Sequence, residues 1–86
     1  MTRLPAAPQP IAVTLSTQRR PQRLRWGQHH FVIDQITDEW QVETDWWRAG
    51  GAQQRHYFAV TTAAGALFVI YRDLLVDQWF LEQIYD

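Results

Sequence analysis

The residues in this sequence with the most evident capacity for chemistry are three histidines, His29, His30 and His56, and several carboxylates mid-chain. A metal ion would need several of these side chains to converge on one point. Neighbouring residues of a strand point to opposite sides, so His29 and His30 are not expected to bind the same ion. A set of His30, His56 and Asp34 across paired strands stays open as an alternative. Partly exposed strand histidines are the more common arrangement, and we predict no metal site.

Catalytic groups are sparse in the sequence. Nucleophilic catalysis needs a nucleophile, a base and an orienting group. The chain contains no Cys, and its only Ser, Ser16, ends a predicted strand. Asp38 and Glu39 are adjacent and would face opposite sides of a strand, so they are not expected to act together as a general acid and a general base. Gly50-Gly51 lacks the following Lys-Ser or Lys-Thr of a phosphate loop. We therefore predict a protein that is not an enzyme and holds no cofactor.

Paired tryptophans beside an arginine indicate a protein-binding function. Trp46, Trp47 and Arg48 stand where a predicted strand gives way to a loop, and Tyr57 lies in the next predicted strand. Trp and Arg are enriched at the energetic centres of protein interfaces. Because adjacent strand positions face opposite sides, at most one of the two indoles belongs to the core. We predict that these four residues contact a protein partner. The alternative is that both indoles close a small core.

Arginines near the start of the chain offer nucleic acid as an alternative partner. Four of them form a basic stripe: Arg19, Arg20, Arg23 and Arg25. Single-stranded nucleic acid is held by such a stripe together with aromatic faces on which bases stack. The aromatic residues of the predicted protein contact could supply those faces. Against this function stand five acidic residues within positions 34–45, which would repel phosphate.

Charge is distributed unevenly along the chain. Residues 1–25 carry five Arg and no acid, a net charge of +5, whereas residues 26–86 carry three Arg and nine acids, a net charge of −6. This asymmetry indicates either an arm for an acidic partner or a basic segment lying across the protein's own acidic body.

Length and composition are typical of one small cytoplasmic domain. A chain of 86 residues has room for one small core, and five Trp, three Tyr and four Phe supply the bulky side chains that it needs. The lack of Cys excludes a disulfide framework and a thiolate metal site. No apolar run approaches the roughly 20 residues of a membrane span, and the start has no signal-peptide core. We predict a cytoplasmic protein that does not contact membranes.

Alternation of apolar and polar residues predicts a series of short strands. Five segments show this period of two or a fully apolar variant of it: residues 11–16, 23–26, 56–61, 67–71 and 79–85. Turns are predicted at Gly27-Gln28 and at Ala63-Ala64-Gly65. Residues 67–71 are apolar on both parities, as in a strand covered on both faces. In the last strand we expect Trp79, Leu81 and Tyr85 on one face and Phe80 and Ile84 on the other.

One further segment, residues 29–42, is long for a single strand, and its apolar residues change parity after Ile33. A one-residue bulge near Asp34-Gln35 would reconcile the two halves and would also bend the strand. A helix from Asp34 to Trp47 is the alternative, although the β-branched content of the segment favours a strand.

These elements predict an all-β fold, with one short helix as the alternative. We expect five or six mainly antiparallel strands in a meander that curls into a small, partly open SH3-like barrel, because closure hides the edges of so few strands. Residues 1–10 contain three prolines and are predicted to be a disordered leader, followed by a single domain over residues 11–86. Gly50-Gly51 is predicted to lie in a mobile loop. Arg72 is expected to pair with Asp73, Asp86 or the terminal carboxylate.

From Pro10 onward the sequence resembles a small bacterial domain family of unknown function. The likeness is carried by seven segments: Leu24–Gly27, Ile33–Trp40, Asp45–Arg48, Arg55–Val60, Gly65–Asp73, Trp79–Leu81 and Ile84–Asp86. Members occur as standalone proteins and at the C-terminus of ImuB-like members of the Y-family DNA polymerases. The resemblance implies a non-catalytic accessory module near translesion DNA synthesis and DNA repair. It carries over no catalytic or ligand residue.

Overall fold

The computed structural model describes residues 2–3, 8–44 and 53–85. Within these ranges the chain forms seven β-strands and no helix, which confirms the predicted all-β class. The helical alternative is wrong over residues 34–44, the part of it that the structure describes. The strands are β1 (Thr2–Arg3), β2 (Gln9–Leu15), β3 (Pro21–Trp26), β4 (His29–Thr44), β5 (Gln53–Thr62), β6 (Leu67–Asp73) and β7 (Gln78–Tyr85).

Six of the strands, β2 to β7, form the predicted antiparallel meander and close into a small barrel. Each strand pairs with the next one in sequence, and β7 also pairs with β2, where Ile11 lies opposite Trp79. The short β1 pairs with β7 through Thr2 and Arg3. Strand β2 begins at Gln9, so the first barrel strand starts two residues before the predicted domain boundary.

The predicted bulge in the long strand β4 is confirmed. The pairing register with β5 shifts between Ile33 and Gln35, and a second, unpredicted shift lies between Ile36 and Asp38. Residues 29–32 of β4 pair with β3, whereas residues 33–44 pair with β5. Bulges bend a strand and increase its twist, so these two allow one 16-residue strand to serve both sides of the barrel.

The barrel interior is filled by aliphatic and aromatic side chains. Its buried members are Leu24, Phe58, Val60, Phe68, Ile70, Leu81 and Ile84. Around them pack partly buried residues, among which Phe31 meets Phe68 edge to face at a ring-centroid distance of 4.8 Å. Edge-to-face contacts of this kind add to the stabilisation that burial provides.

A second apolar cluster lies on the other face of the sheet formed by β4 to β7. It contains an aromatic ladder, in which directly paired aromatic residues of successive strands contact each other: Trp40, Tyr57, Tyr71 and Phe80. Successive ring centroids are 5.3, 5.0 and 5.3 Å apart. The barrel interior covers one face of β6 and the second cluster covers the other, so residues 68–71 are all buried. This burial confirms the prediction that β6 is covered on both faces.

The predicted faces of the last strand are wrong after Leu81. Leu81 pairs with Ile70 and Gln83 pairs with Val69, so Glu82 is an extra residue that reverses the parity of everything after it. Ile84 therefore joins the barrel interior with Leu81, and Tyr85 joins the outer cluster with Phe80. A simple period of two misplaces both residues because it has no means of locating a bulge.

Both predicted turns are confirmed. Gly27 has a φ of 61° between β3 and β4, a value that favours glycine in a two-residue hairpin turn. Residues 63–66 connect β5 to β6, with Gly65 at a φ of 89° donating its backbone N–H to the Thr62 carbonyl at 2.9 Å. The predicted loop at Gly50-Gly51 lies outside the described residues.

Candidate functional site

The connection between β6 and β7 exposes three consecutive aliphatic side chains. Leu74, Leu75 and Val76 have relative exposures of 41, 54 and 57%. Single exposed aliphatic residues are common on protein surfaces, whereas contiguous ones at the tip of a hairpin are unusual, because turns favour Gly, Pro, Asn, Asp and Ser. We call these three residues the apolar turn.

Hydrogen bonds hold the apolar turn in one conformation. The Leu74 N–H donates to the carbonyl of Gln54 on β5 at 2.8 Å, and the Leu75 N–H donates to Asp73 Oδ1 at 3.0 Å. The second contact is an Asx turn, in which the Asp side chain takes the place of a backbone acceptor. The apolar side chains are therefore presented on a backbone that is already ordered.

An ion pair closes the base of the apolar turn. Arg72 Nε donates to Asp77 Oδ1 at 2.9 Å, and a second guanidinium nitrogen of Arg72 donates to the same oxygen. Asp77 has a φ of 54°, a left-handed conformation that Asp tolerates better than most residues. The expectation that Arg72 pairs with Asp73 is wrong, because Asp73 instead caps the turn. Asp86 lies outside the described residues.

A second surface of interest is the outward face of strands β2, β3 and β4. Two rows of paired residues form it, Ala12–Arg25–His30 and Thr14–Arg23–Val32. We call it the basic face. It encloses a shallow depression of about 460 Å³, lined by these six residues above Leu24 and Phe31. Arg23 and Arg25 form no ion pair with any residue that the structure describes, so their guanidinium groups are available to an anion.

The predicted basic stripe is divided among different surroundings. Arg23 and Arg25 lie on the basic face, whereas Arg19 and Arg20 lie in the exposed connection between β2 and β3. Arg20 donates from its guanidinium to Glu39 Oε1 at 3.0 Å. Arg20 therefore contacts the protein's own acidic segment, which is one of the two arrangements that the charge asymmetry predicted.

Glu39 is the centre of a small ionic network on β4. Besides Arg20, it contacts His56 Nε2 through its Oε2 at 2.6 Å. Partial burial raises the pKa of Glu39, but the hydrogen bonds with His56 and Arg20 together lower it by more, so the net pKa lies below the ordinary value of 4.5. The carboxylate therefore stays ionised and bound to both partners at neutral pH.

We expect the Glu39→Gln variant to be destabilised at pH 7 and to lose that deficit in acid. A depressed carboxyl pKa stabilises the fold above about pH 4.5, and the contribution disappears as the pH falls through the folded-state pKa. The deficit should be small, about 0.5 to 1 kcal/mol, because the Glu39 side chain is 35% exposed to screening solvent.

Thermal melts of wild type and variant between pH 7 and pH 3 measure this difference. Glu43→Gln is the matched control, since Glu43 is an exposed carboxylate on the same strand without an ion pair inside the described ranges. An equal deficit for Glu39→Gln at pH 7 and pH 3 would contradict the assignment.

The two histidines of the alternative metal site, His30 and His56, lie far apart along strand β4 in the structure. His30 lies near the start of β4 opposite Arg25, whereas His56 lies on β5 opposite Gln41, toward the other end of β4. In the part of the chain that the structure describes, no three His, Cys, Asp or Glu side chains form a group that could hold a metal ion.

The predicted protein contact falls largely beyond the described ranges. Trp46, Trp47 and Arg48 lie within residues 45–52, and their part in binding stays a prediction. Tyr57 is only 7% exposed, with its ring between Trp40 and Tyr71 and its hydroxyl accepting a hydrogen bond from Arg55 at 3.2 Å. Tyr57 therefore has little surface to offer a partner.

Sequence reasoning missed the apolar turn because its residues lie between the predicted strands 67–71 and 79–85, where only a connection is expected. The available signal was the composition of that connection, which holds three aliphatic residues between Asp73 and Asp77 with no Gly or Pro.

Among residues 2–3, 8–44 and 53–85, no helical segment has the length and hydropathy that a membrane span requires.

Comparison with known proteins gives one finding about the family. No curated protein and no solved structure matches the chain. The model of one family does match, over residues 6–86, a range that includes all six barrel strands together with the apolar turn and the basic face. The chain therefore belongs to the family described as "Domain of unknown function (DUF6504)".

Proposed function

We propose that this domain is a non-catalytic protein-interaction module that binds its partner through the apolar turn. The observation that carries the proposal is the combination of exposure and order at residues 74–76. Three aliphatic side chains are between 41 and 57% exposed on a backbone held by two hydrogen bonds and an ion pair at its base. A preordered contact loses little conformational entropy on binding, which favours affinity.

The charges around the apolar turn favour a protein pocket over a lipid surface. Arg72, Asp73 and Asp77 flank the turn, and their charges of +1, −1 and −1 sum to −1. Membrane-binding apolar segments normally carry cations that attract anionic lipid headgroups. A convex apolar tip with a slightly acidic base instead fits a concave apolar pocket whose rim is neutral or basic.

The resemblance to domains fused to ImuB-like polymerases supports a setting in DNA repair. We propose that the partner belongs to the machinery of translesion DNA synthesis and that this module acts as an accessory to it. Trp46, Trp47 and Arg48, which the sequence predicts to contact a protein partner, lie outside the described residues and stay a separate prediction.

Affinity capture from the bacterium that encodes the protein, after DNA damage, tests this function. The variant Leu74→Ser, Leu75→Ser and Val76→Ser makes the turn polar with residues that turns accept, so its melting temperature should stay within a few degrees of wild type. We expect capture of the partner to fall at least about tenfold, since burying two or three aliphatic side chains contributes more than about 1.4 kcal/mol.

Ala63→Ser with Ala64→Ser is the matched control, because both alanines are exposed in the turn between β5 and β6. The control should capture the partner as wild type does. Equal capture by wild type and the 74–76 variant, or recovery of nucleic acid alone, would contradict the proposal.

A further inference from the structure

We propose that the basic face binds an extended acidic peptide segment, with Arg23 and Arg25 contacting carboxylates of that segment. This surface lies on strands β2, β3 and β4, whereas the apolar turn joins β6 to β7. The proposal goes beyond the function proposed above, because it assigns a second site and a different partner chemistry.

The spacing of the two arginines suits an extended peptide. Arg23 and Arg25 alternate with the buried Leu24 on β3, so both guanidinium groups leave the same face of the sheet. Alternate residues of a strand are about 6.6 to 6.8 Å apart along the chain. Carboxylates at alternate positions of an extended peptide have the same spacing, so two successive Glu or Asp side chains can each meet one arginine.

The residues beside the arginines leave room for such a peptide. Ala12 and Thr14 are the outward residues of β2 that pair with Arg25 and Arg23, and both are small. The depression over them, about 460 Å³, is bordered by the longer side chains of β3 and by His30 and Val32 of β4. A polypeptide backbone can lie over the small residues of β2 while its acidic side chains reach toward β3.

Features of this face favour an acidic peptide over single-stranded nucleic acid. Base stacking needs exposed aromatic rings. Two aromatic rings line the depression. Phe31 packs against Phe68 and the barrel interior, so only the small imidazole of His30 is exposed for stacking. The acidic residues Asp34, Asp38 and Glu39 follow on β4. A long polyanion would be repelled where it continued past the basic face, whereas a short peptide ends before that point.

A titration by nuclear magnetic resonance tests the proposal with the full chain. The probe is a five-residue peptide of alternating Thr and Glu with two Glu, and the controls are the same peptide with Gln for Glu and a five-nucleotide oligothymidine. We expect the Glu peptide to shift the backbone amide signals of residues 12–14, 23–25 and 30–32, and the Gln peptide to leave them unchanged. The shifts should weaken as salt is added, because the contacts are exposed.

Matched variants establish which arginines carry the binding. Arg23→Gln with Arg25→Gln should weaken peptide binding at least about tenfold, and Arg23→Lys with Arg25→Lys should retain part of it, because Lys keeps the charge without the planar fork. Arg19→Asn is the control: it removes one cation at a position with a φ of 61°, which Asn tolerates, and should leave binding unchanged. Positions 23 and 25 are both exposed, and thermal melts verify that each variant is folded.

Three results would overturn the proposal: no shift at the basic face at millimolar Glu peptide, equal shifts with the Gln peptide, or tighter Arg-dependent binding of oligothymidine. The polar variant of the apolar turn should bind the Glu peptide like wild type. Loss of partner capture in that variant and loss of peptide binding in the arginine variant therefore report on separate sites.

Discussion

Replacing Ile70 with Ala should lower the free energy of unfolding by about 3 kcal/mol. Ile70 is fully buried at the centre of β6, in the barrel interior between Phe58 on β5 and Leu81 on β7. Truncation removes three carbon atoms from a closed barrel whose neighbours are fixed by pairing on both sides, so the cavity should collapse little. For a domain of this size the melting temperature should fall by about 15 °C.

Urea denaturation and thermal melts measure this effect. Val32→Ala serves as the control, because it also shortens a β-branched residue in a strand, but Val32 is 52% exposed on the outside of the barrel. The control should change stability by less than about 0.5 kcal/mol. Similar losses for the two variants would show that β6 is not the centre of a closed barrel.

Replacing Tyr57 with Ala should cost about 3 to 4 kcal/mol of stability, nearly as much as a residue of the barrel interior. Tyr57 stacks parallel to Trp40 at a centroid distance of 5.3 Å and contacts Tyr71 at 5.0 Å. Its removal would break the aromatic ladder in the middle. The Arg55 guanidinium, which lies 4.6 Å above the Tyr71 ring, would lose its hydrogen-bond acceptor as well.

Tyr57→Phe separates the ring from the hydroxyl. This variant keeps the stacking and removes only the hydrogen bond with Arg55, at a cost of about 1 kcal/mol. Denaturation curves of both variants measure the difference. If Tyr57 were instead a partner contact, Tyr57→Ala would leave the stability nearly unchanged and reduce partner capture.

Much of the fold could be predicted from local pattern. The alternation in β2, the doubly apolar run in β6 and the glycines at positions 27 and 65 each have one simple structural explanation, and the structure confirms all of them. The parity change after Ile33 even located a bulge, because apolar residues on both sides of it still have to reach the interior.

Features that depend on pairing between strands could not be predicted. The bulge at Glu82 leaves no clear mark in the sequence, because Trp79, Leu81 and Tyr85 fit a period of two as well as the true arrangement does. Arg72 pairs with Asp77 and not with Asp73. The Asp73 carboxylate instead accepts a hydrogen bond from the Leu75 N–H, a contact that becomes evident only in the three-dimensional structure.

The candidate sites were harder to predict than the fold. Sequence reasoning grouped four arginines by proximity in the chain, but strand direction places only Arg23 and Arg25 on one face and a turn directs Arg20 to Glu39. Tyr57 is predicted at a partner contact, but the covered outer face of the sheet buries it. Leu74, Leu75 and Val76 carry no prediction from the sequence, because their exposure depends on how the turn is capped.

Photo-cross-linking from position 75 in living cells tests the proposed function most directly. A photoreactive phenylalanine analogue would replace Leu75 in one protein and Ala64, in the opposite turn, in another. A protein contact through the apolar turn predicts a discrete protein adduct from position 75 that is absent from position 64. No protein adduct from position 75, or the same adducts from both positions, would contradict it.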